Sequence, residues 1–119
     1  MLVSVQLQTD LVPRNEFASV RTTIGGAVQV EPVGDVDSYL DPVPVAELRA
    51  AVGTIRIRME LLDASDRLVA ERLLIADVRT DTALIVFISA SCRDVHCTGP
   101  DETCIQGLCT VATAICDGH

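Results

Sequence analysis

Residues 1–91 contain no cysteine, and residues 92–119 hold all five: Cys92, Cys97, Cys104, Cys109 and Cys116. The longer part must fold on apolar burial alone, whereas so short a tail needs covalent or metal staples. The division predicts a β-sandwich domain over 1–91 and a cysteine-rich segment over 92–119. The cysteines form two C-x4-C units and the start of a third at Cys116, where a further cysteine would fall at position 121, so the segment reads as truncated. The odd count agrees with that expectation, since a secreted chain rarely keeps a spare reactive thiol.

A disulfide framework in an oxidising compartment is the favoured reading of the cluster. Zinc fits poorly, because C-x4-C with His96 and His119 nearby matches neither paired C-x2-C knuckles nor finger spacing. A redox dithiol would want C-x-x-C, which the tail lacks. Spacing does not fix connectivity. Joining Cys92 to Cys104 and Cys97 to Cys109 would link the two C-x4-C units and is the preferred arrangement, with Cys116 left for a partner elsewhere.

Periodicity over 1–91 is that of strands. Val3, Val5 and Leu7 alternate with Ser4, Gln6 and Gln8; Ala18, Val20, Thr22 and Ile24 lead to a Gly25-Gly26 turn; and Val28 and Val30 return against Gln29 and Glu31. Ile55, Ile57, Met59 and Leu61 oppose Arg56, Arg58 and Glu60. Asp63-Ala64-Ser65-Asp66 has turn chemistry before an apolar run from Leu68 to Val78, so Arg56, Arg58, Glu60, Glu71 and Arg72 are expected to pair across a hairpin. Leu84 to Ile88 is apolar on both faces, which predicts a central or interface strand. Residues 31–46, with Pro32, Pro42, Pro44 and Gly34, read as a long loop, and Val45 to Val52 allow a short turn of helix. Together these elements predict an all-β fold: an antiparallel immunoglobulin-like or transthyretin-like β-sandwich of about seven strands with a small disulfide-rich tail.

Charge excludes some functions. Seventeen acidic residues against nine arginines give a net charge of −8, which opposes nucleic acid and anionic lipid. No run approaches the length of a membrane span, so direct insertion is not expected. The exclusive use of arginine, with frequent alanine and valine, suggests a GC-rich bacterial source.

Several motifs carry a resemblance. Thr9 to Pro13, Gly53-Thr54-Ile55-Arg56-Ile57-Arg58, Leu62 to Ser65, Val69 to Arg72, the Asp81-Thr82 turn and Ser91 to Cys97 follow one another in an order that resembles the amino-terminal module of large exported myxobacterial lipoproteins. In such proteins an immunoglobulin-like sandwich precedes a cysteine-rich segment. Thr103 to Cys109 is similar to small extracellular cysteine-rich modules, and the 53–58 strand resembles transthyretin-like and carboxypeptidase-regulatory-like surface domains. The resemblance implies a noncatalytic module of a bacterial surface or secreted protein, with a protein partner or downstream domains as its contacts. It implies no catalytic residue.

Candidate chemistry is sparse. His96 and His119 are the only histidines, so no Ser-His-Asp set is expected, and adjacent His96 and Cys97 would point apart on extended backbone. Asp35, Asp37 and Asp41 on one loop make calcium the cofactor to consider, although the loop lacks the glycine and terminal glutamate of an EF-hand. Tyr39 in the same loop is the candidate exposed contact. The alternatives to a structural or interaction module are therefore a calcium-dependent or ligand-binding adhesion module using 31–46, and an accessory domain of a secreted enzyme.

Overall fold

A computed structural model describes residues 1–112 and the backbone strand 114–116. Seven strands build a two-layer sandwich: β1 (Leu2–Thr9), β2 (Ser19–Ile24), β3 (Ala27–Pro32), β4 (Val43–Arg49), β5 (Gly53–Leu62), β6 (Leu68–Val78) and β7 (Thr82–Ile88). A short 3-10 turn at Ala90–Cys92 leads into β8 (Glu102–Ile105), β9 (Leu108–Val111) and β10 (Ala114–Cys116). One sheet has the order β4-β1-β7, the other β10-β6-β5-β2-β3, and β8 and β9 form a separate hairpin.

The core lies between the two sheets. Val3, Val5 and Leu7 of β1 are fully buried, as are Ile57, Met59 and Leu61 of β5, and they share one apolar cluster with Val20, Val78, Val86 and Ile88. Alternation at period two places these residues inward, and the polar residues between them face out. One pairing departs from the antiparallel expectation, since β7 runs parallel to β1, with Val5 opposite Leu84 and Leu7 opposite Val86. Parallel neighbours need a long connection, and here that connection is the whole of β2 to β6.

Four local expectations are corrected. The segment expected to hold a helical turn, 45–52, instead contributes β4, which pairs antiparallel with β1. Two turns of isolated helix are too short to offset the cost of nucleation, whereas pairing with β1 satisfies the backbone. The register shifts between Val5, opposite Ala46, and Gln6, opposite Pro44, so Val45 is the bulged residue of β4, and Val45 and Ala46 are both buried. The 31–46 loop is accordingly shorter, since β3 runs to Pro32 and β4 starts at Val43.

Val28 and Val30 point outward, because β3 is an edge strand whose register sets Gln29, not the valines, beside buried Thr22. Finally, of the central or interface position expected for β7, the central one is corrected, because β7 is an edge strand. Val86 and Ile88 enter the core, and Ile85 and Phe87 lie exposed on the outer face.

Candidate interaction surface

The cysteine-rich segment folds back along the free edge of β6. An unpaired strand edge is a row of amide and carbonyl groups ready to pair with another chain. Here that row is occupied. The Asp94 amide donates to the Val69 carbonyl at 2.8 Å, the Leu73 amide donates to Thr103 Oγ1 at 2.9 Å, and the backbone of β10 runs parallel to Ile75–Asp77. Leu73, on the outer face of its sheet, is buried, as is Thr103 above the strand edge.

Charged groups clamp the segment at two further points. Arg56 of β5 donates to Asp101 Oδ1 at 2.6 Å and to the Pro100 carbonyl at 2.8 Å. Arg93 donates to Glu16 Oε2 at 2.7 Å. Both pairs are half-exposed, so each stabilises by about 0.2–1 kcal/mol and serves mainly to set register. Of the pairs expected across the β5–β6 hairpin, Arg58 meets Glu71 at 3.0 Å, whereas Glu60 turns to Arg21 of β2 at 2.9 Å and holds that guanidinium above its ordinary pKa.

Arg72 is not part of that array. It lies opposite Met59 on the inward side of β6, where burial lowers its pKa and its Nη1 donates to the Phe87 carbonyl of β7 at 2.6 Å. Gln29 acts similarly on the other side, accepting from the Glu47 amide of β4 at 3.0 Å. Each edge of the three-stranded sheet thus meets a polar side chain from the five-stranded one. Sequence alternation did not distinguish Arg72 from Arg56 or Arg58. The only available signal was its parity with Ala70, Leu74 and Ala76 along β6.

Two disulfides hold the covering segment in shape, Cys92–Cys104 and Cys97–Cys109, with Cα atoms 5.8 and 5.6 Å apart. The first ties β8 to the turn that follows β7, and both of its cysteines are buried. The second crosses to β9. With Cys97 in a disulfide and His96 exposed, the pair offers no thiolate. The Cys116 side chain and His119 lie outside the described residues. Two disulfides indicate an oxidising environment. Among the described residues no helix is long and apolar enough to cross a membrane.

No protein-family model, curated protein or solved structure matches the chain.

Among the described residues the most exposed large apolar side chain is Leu108, at the β8–β9 hairpin tip. Gln106 and Gly107 both have positive φ, the turn that matches strand twist in a two-residue hairpin. Ile105 and Leu108 face each other across it, and Leu108 is 71% exposed. Gly107 is required by its φ of +86°, and a Cβ there would only reach ordinary contact with the Ser91 Cβ and carbonyl oxygen at 3.4 Å.

The acidic loop carries the three aspartates considered for calcium. Asp35, Asp37 and Asp41 are all exposed, and among the described residues no three Asp, Glu, His or Cys side chains gather as a metal group. Asp37 pairs with Arg14 at 3.2 Å, and the same guanidinium takes the Gly34 and Val36 carbonyls at 2.9 and 2.8 Å. Arg14 thus ties together three points of the loop.

Tyr39 is not an exposed contact. It is 1% exposed, its ring centroid 5.4 Å from that of Phe17, and burial raises its phenol pKa. Its carbonyl accepts from the Thr9 amide, which draws the loop over the end of β1. Two aromatic rings of a chain that has only three close this part of the core.

Proposed function

We propose that this chain is a noncatalytic extracytoplasmic module that provides spacing, display or protein contact within a larger bacterial surface or secreted protein. The observation that carries the reading is a rigid apolar tip. Ile105 and Leu108 project from a hairpin cross-linked by one disulfide to the turn after β7 and by another to the loop before β8. Preorganised apolar groups bind partners with little entropy left to lose. Polar groups elsewhere are engaged in sealing the fold: Arg56 and Arg93 on the tail, Arg14 on its loop, Arg72 and Gln29 on sheet edges. The resemblance of its motif order to that of exported lipoproteins supports the surface location.

The test is a photo-reactive amino acid at position 108 in the protein exported by its native host. A discrete adduct with one extracytoplasmic protein or domain, lost when Ile105→Asp is added while the melting temperature holds, is expected. Diffuse labelling that Ile105→Asp does not change would count against the reading.

A further inference from the structure

A cleft of about 490 Å³ opens at one end of the sandwich, between the Gly25-Gly26 turn and the connection from β4 to β5. Its volume falls in the range of small-molecule sites. The floor is apolar, made by Ile24 and Ile55, both nearly buried, with Ala27, Ala50 and Ala51 as small walls. A Cβ added at Gly25 or Gly26 would meet nothing within 4 Å, so the turn borders open space.

The charge of this cleft is opposite to that of the chain. Seventeen acidic residues and a net charge of −8 would lead one to expect carboxylates at any opening, yet the charged side chains lining this one are Arg49 and Arg56. Asp77, beside Thr54 in the sheet register, is paired with Arg79 at 3.4 Å. Arg56 is held by Asp101 and the Pro100 carbonyl. The Arg49 guanidinium is different, having no hydrogen bond or ion pair among the described residues. A free guanidinium at the rim of an apolar cleft matches an anion whose remaining body is apolar, and its planar fork fits a carboxylate in a bidentate way.

We propose that this cleft binds an apolar carboxylate, with the carboxylate on Arg49 and the hydrocarbon portion over Ile24 and Ile55. A free fatty acid and the apolar C-terminus of a peptide share that chemistry. The site is remote in sequence from the β8–β9 tip and does not depend on the role given to that tip.

The experiment titrates the oxidised protein with decanoate, with decanol, and with acetyl-Ala-Val-Leu as free acid and as amide, followed by amide chemical shifts and calorimetry. Saturable one-to-one binding of decanoate or of the peptide acid is expected, with shifts at residues 24–27 and 49–56. Which of the two binds identifies the source. Decanol and the peptide amide should bind at least about tenfold more weakly, as should either acid to Arg49→Gln, because each loses the charge-assisted pair. Ala51→Phe should block the cleft without altering charge. Because Arg49 and Ala51 are exposed, neither variant should move the melting temperature. The proposal is overturned if neither acid saturates, if Arg49→Gln binds as well as the wild type, or if the shifts map to another surface.

Discussion

The Leu73 amide of β6 donates to Thr103 Oγ1 of the cystine hairpin at 2.9 Å, and both residues are buried. Thirty residues of chain separate them. This bond is where the tail replaces the neighbour strand that β6 lacks between Val69 and Ile75.

Thr103→Val keeps the shape of the side chain and leaves the Leu73 amide without an acceptor. A buried donor left unsatisfied costs about 1–3 kcal/mol, and Thr103→Ser should recover most of that loss. Urea denaturation of the three proteins measures it. Equal midpoints for Val and Thr at position 103 would mean that water reaches the amide and that the edge is not sealed there.

Breaking the Cys92–Cys104 bridge should do more than lower stability. A Cys92→Ser, Cys104→Ser protein loses closure of a loop with a sequence separation of 12, about 3 kcal/mol in the chain-entropy account. It also frees β8 from the anchor beside β7, so the β6 edge becomes open to a second chain. Light scattering at increasing concentration should show dimers or larger species for this variant and none for the oxidised wild type. A variant that is less stable yet monomeric at all concentrations would show that the bridge stabilises without guarding the edge.

Much of the sandwich was legible because burial on one face writes itself as alternation, and β1, β2 and β5 carry clean period-two patterns. The misread elements share a cause, which is that tertiary neighbours outrank local preference. Helix-forming residues from Ala46 to Arg49 lie in a strand because β1 is there to pair with them. Val28 and Val30 carry the same alternation as Val3 and Val5, but whether the apolar face of an edge strand turns in depends on register with its neighbour, which spacing does not encode. Tyr39 and Arg72 were misplaced for the converse reason. Each is a long side chain with an apolar stem, and only the assembled fold reveals the Phe17 ring or the Phe87 carbonyl that draws it in. The cluster of five cysteines signalled stapling, but nothing in its spacing said that the stapled piece would lie along β6.

The ring pair of Tyr39 and Phe17 predicts a core role for a loop residue. Tyr39→Ala should cost about 3–5 kcal/mol, the range for removing a buried aromatic side chain, and Tyr39→Phe about 1 kcal/mol or less. Thermal unfolding followed by circular dichroism distinguishes the two. A small loss for the alanine variant would place Tyr39 back among surface contacts.

Acid should weaken the β5–β6 turn through one carboxylate. Asp63 Oδ1 accepts from the Arg67 amide at 2.9 Å and the Ser65 amide at 2.8 Å, and these bonds, the Arg67 one foremost, lower its pKa from the ordinary aspartate value. A carboxyl with a lowered folded pKa stabilises fully above its unfolded value near 4 and loses that contribution as pH falls through the folded value. Asp63→Asn should therefore be less stable than wild type at pH 7, with the gap closing as the pH drops below about 4. A gap independent of pH would remove Asp63 from the acid response.

Thr22 is a place where a substitution should improve the fold outright. Its side chain is fully buried between β3 and β5, opposite Gln29 and Met59, and its Oγ1 has no hydrogen-bond partner among the described residues. Burying a hydroxyl without a partner costs about 1–3 kcal/mol by the measure of protein mutations. Thr22→Val replaces the hydroxyl with a methyl of similar size, keeps the β-branched shape suited to a central strand, and adds apolar contact with the core. The expected result is a rise of about 1 kcal/mol in unfolding free energy with an unchanged denaturant slope, and Thr22→Ser should fall below wild type because it keeps the hydroxyl and deletes the methyl. Loss of stability in the valine variant would mean that the hydroxyl is satisfied in solution, and hydrogen exchange at the Thr22 and Met59 amides would then show whether water enters between β2 and β5 to do so.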